Sequence, residues 1–314
     1  MNNKKMIKTM ATSEFLLFVM LNGCAANQAV MLPAAEQLAA EEAIAVTETA
    51  ALETLATATA IPAPAQTPTE DTRLKPEDWK NWPIIPEVTE KSREVYLLGK
   101  QSGVNPNAFS KIGDCQNIKE SFMGIYDLNR YFLTENQKDW QETIDNFRGY
   151  FNRDGKAIEQ GLNVAAALSP LQADPNECQP TESPLACELR VANPSFAFVA
   201  FERWWPNITP PDQYEKYLRM VLDTIMAHGT VPILVTKADN IEGNHQLNLI
   251  IAKLADEYDL PLYNWWRAAQ PLPHHGMDSE RNDGFHISTD AWTERSAYAL
   301  GTLDHLWKGL KGIQ

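Results

Sequence analysis

From Trp79 onward the chain alternates short apolar runs with longer stretches in which apolar residues recur every three or four positions. After Pro194, the run Phe196-Ala197-Phe198-Val199-Ala200-Phe201 is apolar at every position, which suits a strand buried on both faces. Val231-Pro232-Ile233-Leu234-Val235-Thr236 reads the same way, as do the shorter Phe109-Ser110-Lys111-Ile112 and Pro261-Leu262-Tyr263-Asn264-Trp265. Between them, Leu218, Val221, Leu222 and Ile225 follow helical spacing and predict an amphipathic helix over 212–228, ended by Gly229. Leu247, Ile250, Ile251 and Leu254 predict a second over 245–258, and 289–310 a closing helix. A helical stretch inside 83–103 ends on a glycine cap, 140–151 reads as helix turning to strand, and 156–168 as helix. Strands alternating with helices of this length predict an α/β domain whose parallel sheet is covered on both sides. Ligands of such sheets bind beyond the carboxyl ends of the strands, so the chemistry should be sought there.

The first 78 residues follow neither pattern. Lys4, Lys5 and Lys8 precede an apolar run from Phe15 to Leu21, which is a secretory signal too short to span a membrane as a stable helix. Its last residues, Leu21-Asn22-Gly23-Cys24, resemble the lipobox of bacterial lipoproteins, in which the cysteine is acylated and becomes the new N-terminus. Residues 1–23 are therefore expected to be a lipoprotein-type signal peptide and Cys24 the lipidation site. An ordinary signal peptide, cleaved at a nearby small residue, is the alternative, and it also implies export. From residue 24 to 78 there is no aromatic residue and no glycine, only an Ala-, Thr- and Glu-rich segment turning proline-rich at Ile61-Pro62-Ala63-Pro64-Ala65. It cannot bury enough apolar surface to offset the entropy of ordering, and it reads as a disordered tether. The protein is thus expected on the extracytoplasmic side of the cell envelope, touching the membrane through its anchor alone.

The remaining 79–314 suits one domain. Apolar residues make up 44% of the chain and nine are tryptophan, ample for a core. The formal net charge of −14, with no basic patch interleaved with aromatics, argues against a nucleic-acid partner. Cys178 and Cys187 flank a short proline-containing loop, and in an exported protein they are expected to form a disulfide. No C-x-x-C or H-E-x-x-H spacing occurs, so neither a metal nor another cofactor is expected.

Cys115 is left over, and its setting is informative. Gly113-Asp114-Cys115 follows the first predicted strand, and Asp283-Gly284-Phe285-His286 stands just before the closing helix. Together these resemble the SGNH (GDSL-type) hydrolases, in which a Gly-Asp-Ser motif carries the nucleophile and a late D-x-x-H motif completes the triad. The resemblance covers about 108–306. It implies a three-layer, flavodoxin-like fold with about five parallel strands, and hydrolysis of an acyl or carbohydrate ester. His286 would be the general base, Asp283 its orienting partner, and Cys115 would occupy the nucleophile's position. A thiol needs a base within reach, and that base needs one tautomer. His228, His245 and His305 read as solvated helix-end or surface residues, whereas His274 and His275 lie close enough to Asp283 in sequence to line the same cleft. Asp114 reads as a turn former bonded to its own backbone.

The departures bear on activity. The family's third strand ends in Gly-x-Asn-Asp, whose Asn donates to the oxyanion; here Glu202 falls at that Gly and Trp204 at that Asn. Arg203 or the Trp204 indole could substitute, or a bulge could bring in Asn207. The family's backbone donor, a glycine after the second strand, maps to Gly155, with Gly161 as runner-up because it lies in a predicted helix. Trp204, Trp205, Trp265 and Trp266 sit at strand ends, where they either stack on sugar rings or pack as lid and core. Two alternatives to an ester hydrolase stay open: a surface lipoprotein with little or no turnover that binds carbohydrate or lipid, and an envelope scaffold.

Overall fold

The computed structural model describes residues 74–202, 210–281 and 283–313. One compact unit spans Asp71–Gln314, so the ordered domain begins a few residues before Trp79. The signal, Cys24 and nearly all of the tether lie outside the described residues, as do Arg203, Trp204, Trp205 and Asn207. No described helix is long and apolar enough to cross a membrane.

Four parallel strands, β1 (Asn105–Gly113), β2 (Pro194–Ala200), β3 (Val231–Val235) and β4 (Leu262–Tyr263), lie side by side in that order. Seven helices accompany them: α1 (Glu90–Ser102), α2 (Trp140–Asn146), α3 (Pro184–Ala192), α4 (Pro211–His228), α5 (Gln246–Glu257), α6 (Trp265–Ala269) and α7 (Thr289–Leu310). Side chains alternate along each strand and so feed two cores. Phe109, Phe196, Phe198, Ile233 and Val235 face a layer with α1, α2, α6 and α7. Ile112, Ala197, Val199 and Leu234 face the opposite layer, with α3, α4 and α5. The three layers are those that the apolar periodicity predicts.

The expected fifth strand is reduced to a single parallel bridge, Gly113 to Ile158, on the outer side of β1. The helix predicted over 156–168 is absent for a related reason. Gly161 takes a left-handed backbone (φ 82°), and the Asn163 carboxamide accepts from the amides of Ala165 and Ala166, competing with helical pairing. Likewise α2 stops at Asn146, and the chain beyond it turns rather than forming a strand, delivering Phe147 and Phe151 to the core. β4 is cut short at Tyr263, because the Asn264 side chain accepts from Arg267 N–H and starts α6 at Trp265. Cys178 and Cys187 form a disulfide (Cα–Cα 5.3 Å) that fastens the loop to the first turn of α3.

Lys111 is the anomaly in this sheet. It sits in β1, almost fully buried, and donates from Nζ to the carbonyls of Phe122 (3.1 Å) and Phe151 (3.0 Å). It thereby fixes two loops to the underside of the strand that carries Cys115. Burial pushes its ammonium down to about 7, against the pull of the Asp154 carboxylate. Above that pH the folded chain has lost a proton that the unfolded chain keeps up to its ordinary 10.5, so folding is favoured as pH rises through this window. Between about pH 6.5 and 9 the melting temperature of the wild type should therefore rise relative to that of Lys111→Met, and parallel curves would show the ammonium to be untitrated there.

Candidate active site

β1 ends on a position that only glycine fits. At Gly113 φ is 151°, and a Cβ would lie 2.0 Å from the Ala200 carbonyl oxygen and 2.5 Å from Asn117 Nδ2. The chain then turns on Asp114, which is fully buried: Oδ1 accepts from Gln116 N–H (3.1 Å) and Oδ2 from Glu202 N–H (2.9 Å). The turn-former reading of Asp114 holds, and the same carboxylate also ties the turn to the end of β2. Cys115 projects from this turn at the carboxyl end of the sheet, partly buried.

Across from it stands the loop before α7. His286 Nε2 lies 3.6 Å from Cys115 Sγ, and Nδ1 lies 2.6 Å from Asp283 Oδ2. The other carboxylate oxygen of Asp283 accepts from the amides of Phe285 (2.9 Å) and His286 (3.0 Å). Partial burial raises the Asp283 carboxyl, but these amides and the ring outweigh it and hold the group down at about 2. A permanently ionised Asp283 favours the tautomer with the proton on Nδ1, leaving the Nε2 lone pair toward sulfur. The structure thus brings Cys115, His286 and Asp283 together in the order that nucleophilic catalysis requires.

The pair opens into a cavity of about 550 Å³, whose lining includes Gln116, Ser121, Gln160, Gly161, Arg281 and Trp292. Several expectations change here. Gly155 does not line the cavity; it packs on Glu188, where a Cβ would lie 2.7 Å from the carboxyl carbon, while Gly161 does line it. Trp265 is fully buried in the core, and Trp266 packs edge-on against Trp79 (4.9 Å) instead of facing the cleft. His275 bonds the Gln270 carbonyl, and of the described histidines only His286 lines the cleft. His245 is not a solvated helix end, since its ring packs against both Trp79 and Trp266.

Beneath the site lies a polar network the sequence reading missed. Arg295 of α7 is fully buried and paired with the equally buried Glu202 (2.6 Å), its guanidinium 4.5 Å from the Phe122 ring. Arg295 also donates to the Gln116 carbonyl (2.6 Å) and to Asn117 Oδ1 (3.1 Å). Gln116 in turn grips the histidine loop: Nε2 donates to Phe285 O (2.9 Å) and Glu202 Oε2 (2.8 Å), and Oε1 accepts from Ile287 N–H (3.2 Å). The backbone on both sides of His286 is therefore held by the residue next to Cys115. Burial drives the Glu202 carboxyl upward, and Arg295 opposes it. The only sequence signals were an arginine amid the apolar face of α7 and a glutamate ending an apolar strand.

No family model and no curated protein sequence matches the chain. Among solved structures it is similar to TesA (16% identity, TM-score 0.40, covering 63% of this chain and 98% of that one). It is also similar to the acetyl xylan esterase AlAXEase (15%, TM-score 0.38, 62% and 96%). A GDSL-like lipase from Bacteroides thetaiotaomicron is a third (12%, TM-score 0.39, 68% and 98%).

The network predicts a separation of stability from function. Arg295→Met strands Glu202 as a buried charge and should cost about 3–5 kcal/mol in urea unfolding. Adding Glu202→Leu should restore most of that stability. Labelling of Cys115 by iodoacetamide should nevertheless remain slower than wild type in the double variant, because Gln116 has lost its restraints. Wild-type labelling in the double variant would show that the network serves folding alone.

Proposed function

We propose that this chain is an SGNH-type ester hydrolase that uses Cys115 as its nucleophile, exported and held to the envelope by a lipid on Cys24. The observation that carries the catalytic part is the Sγ–Nε2 and Nδ1–carboxylate alignment at the carboxyl end of β1, facing a cavity. The location rests on the basic, apolar and Leu-Asn-Gly-Cys segments of the N-terminus.

In the reaction, His286 Nε2 takes the Cys115 thiol proton and the thiolate attacks the ester carbonyl carbon. The Nδ1 proton stays on the imidazolium, stabilised by ionised Asp283. As the tetrahedral oxyanion collapses, the alcohol leaves with the proton from Nε2 and a thioester remains on Cys115. Water then attacks the thioester, giving its proton to Nε2, and the carboxylic acid departs as the thiol is restored. Gly161, which lines the cleft, is the candidate backbone oxyanion donor. Glu202 offers no such donor: its amide is committed to Asp114 and its carboxylate to Arg295. A missing donor costs about 10²–10³ in rate, and this favours a second reading, a slow enzyme or ligand-binding descendant.

Three measurements decide between them. Iodoacetamide should label Cys115 faster than free cysteine at neutral pH and more slowly in His286→Ala, since the thiolate is the reactive species. Hydrolysis of p-nitrophenyl acetate should vanish in Cys115→Ala and fall about 10²- to 10⁴-fold in His286→Ala. Asp283 stays charged down to about pH 2, so any acid limb of the rate profile nearer neutrality should persist in Asp283→Asn, with a lowered plateau. Thiol reactivity unchanged by His286→Ala would overturn the enzyme reading. An active Cys115→Ser variant would show the site able to serve either nucleophile, whereas wild-type and serine forms both folded and both inert would favour the binding protein.

A further inference from the structure

We propose that the cleft receives an ester of an acidic carbohydrate, whose sugar carboxylate is bound by Arg281 beside the Cys115–His286 pair. This deepens the hydrolase reading and rests on it. Arg281 and Trp292 line the same cavity as the sulfur and the imidazole. Among the described lining residues Arg281 is the sole lysine or arginine, and no aspartate or glutamate lines the cavity beside it. Of the other described arginines, Arg148, Arg153, Arg190, Arg219 and Arg295 each lie against a carboxylate within 2.8 Å and Arg93 within 3.9 Å, whereas Arg130 and Arg267 have no ion pair among the described residues and neither lines this cleft. Arg281 makes no ion pair or hydrogen bond among the described residues.

A chain of net charge −14 repels anions in general, so an unneutralised guanidinium in its cleft marks a place where one is admitted. The planar fork of arginine matches a carboxylate through two parallel hydrogen bonds. A phosphate would gather further cations, and among the described residues none other lines the cavity. A lipid would need an apolar wall, yet among the described lining residues Ile118 and Trp292 are the only large apolar side chains, beside Gln116, Ser121 and Gln160. An aromatic ring beside amide and hydroxyl groups suits the alternating apolar faces and hydroxyls of a sugar. Gln160 and Gly161 also line a second cavity of about 400 Å³, whose walls carry Asn163, Ser169 and Gln172 but also Glu159, so any further sugar unit reaching it is expected to be neutral.

The test compares kcat/KM on O-acetylated oligogalacturonide with that on acetylated xylo-oligosaccharide. Wild type should prefer the acidic ester, and the preference should weaken as salt is raised, because an exposed ion pair is screened. Arg281→Gln should lower the ratio of the two kcat/KM values tenfold or more, mainly through KM on the acidic ester, and Arg281→Lys should restore part of it. An unchanged ratio overturns the proposal. So does an equal fall on both esters, which would assign Arg281 to the developing oxyanion. Should neither ester be hydrolysed, the hydrolase reading fails by itself. The anion subsite is then decided by titrating Cys115→Ala with de-esterified oligogalacturonide and following tryptophan fluorescence. Saturable binding that Arg281→Gln abolishes supports the subsite, and no binding overturns it.

Discussion

The buried pair of Glu202 and Arg295 is the constraint on which the geometry of the site depends. Both side chains are all but removed from solvent, so each charge would be costly alone and neither can leave without the other. Glu202 lies two residues beyond the end of β2, and Arg295 rises from α7; their attraction fixes the closing helix against the carboxyl edge of the sheet. The terminal nitrogens of the guanidinium also reach the Gln116 carbonyl and Asn117 Oδ1, leaving Nε–H buried without a partner among the described residues, so the ion pair sets the turn that carries Cys115 as well. From that turn the Gln116 carboxamide holds the backbone on either side of His286. Cys115 and His286 come from segments 171 residues apart, and this network is what relates them. An apolar filling of equal volume would pack as well, but it would carry no directional restraint from β2 to the histidine loop.

Much of this fold was legible because the sheet is buried on both faces. Phe196 to Phe201 and Val231 to Val235 could only be interior strands, and the helical periodicity of 212–228, 245–258 and 289–310 was unbroken. The errors fall where a side chain captures backbone groups. Asn163 dissolves the helix expected over 156–168, and Asn264 truncates β4 in favour of α6. Apolar spacing contains no information about such local competition. The same limit applied at the site. Cys115, Asp283 and His286 were readable because their motifs sit at fixed offsets from strand and helix ends. Gly161 was ranked below Gly155 only because it was placed inside a helix that does not form. Arg295 and Gln116 carry no motif; their roles arise from which buried groups need partners, and that requires three dimensions.

The thiol changes what the rest of the site must supply. A cysteine ionises near pH 8.5 in the absence of neighbours, whereas a serine hydroxyl never ionises in water at neutral pH. With sulfur as the attacking atom, His286 has less to do in forming the nucleophile and correspondingly more to do later. In the proposed reaction the thioester left on Cys115 would have to be opened by water, a poor nucleophile that depends on Nε2 to accept its proton. Asp283, held ionised by two backbone amides and the ring, keeps the proton on Nδ1, so that the Nε2 lone pair faces the cleft whenever the imidazole is neutral. Glu202, just beyond β2, is committed to an ion pair and offers no side-chain donor of the kind an alkoxide nucleophile would rely on. In this active-site reading the two departures are complementary. Glu202 strengthens the scaffold at the glycine of the family's Gly-x-Asn-Asp pattern, the donor itself is exchanged at Trp204, and a softer, more readily ionised nucleophile would lower the demand for one in the acylation step. The remaining burden falls on deacylation, so the water-accessible side of the cleft, between Gly161 and His286, is where the rate of such an enzyme would be set.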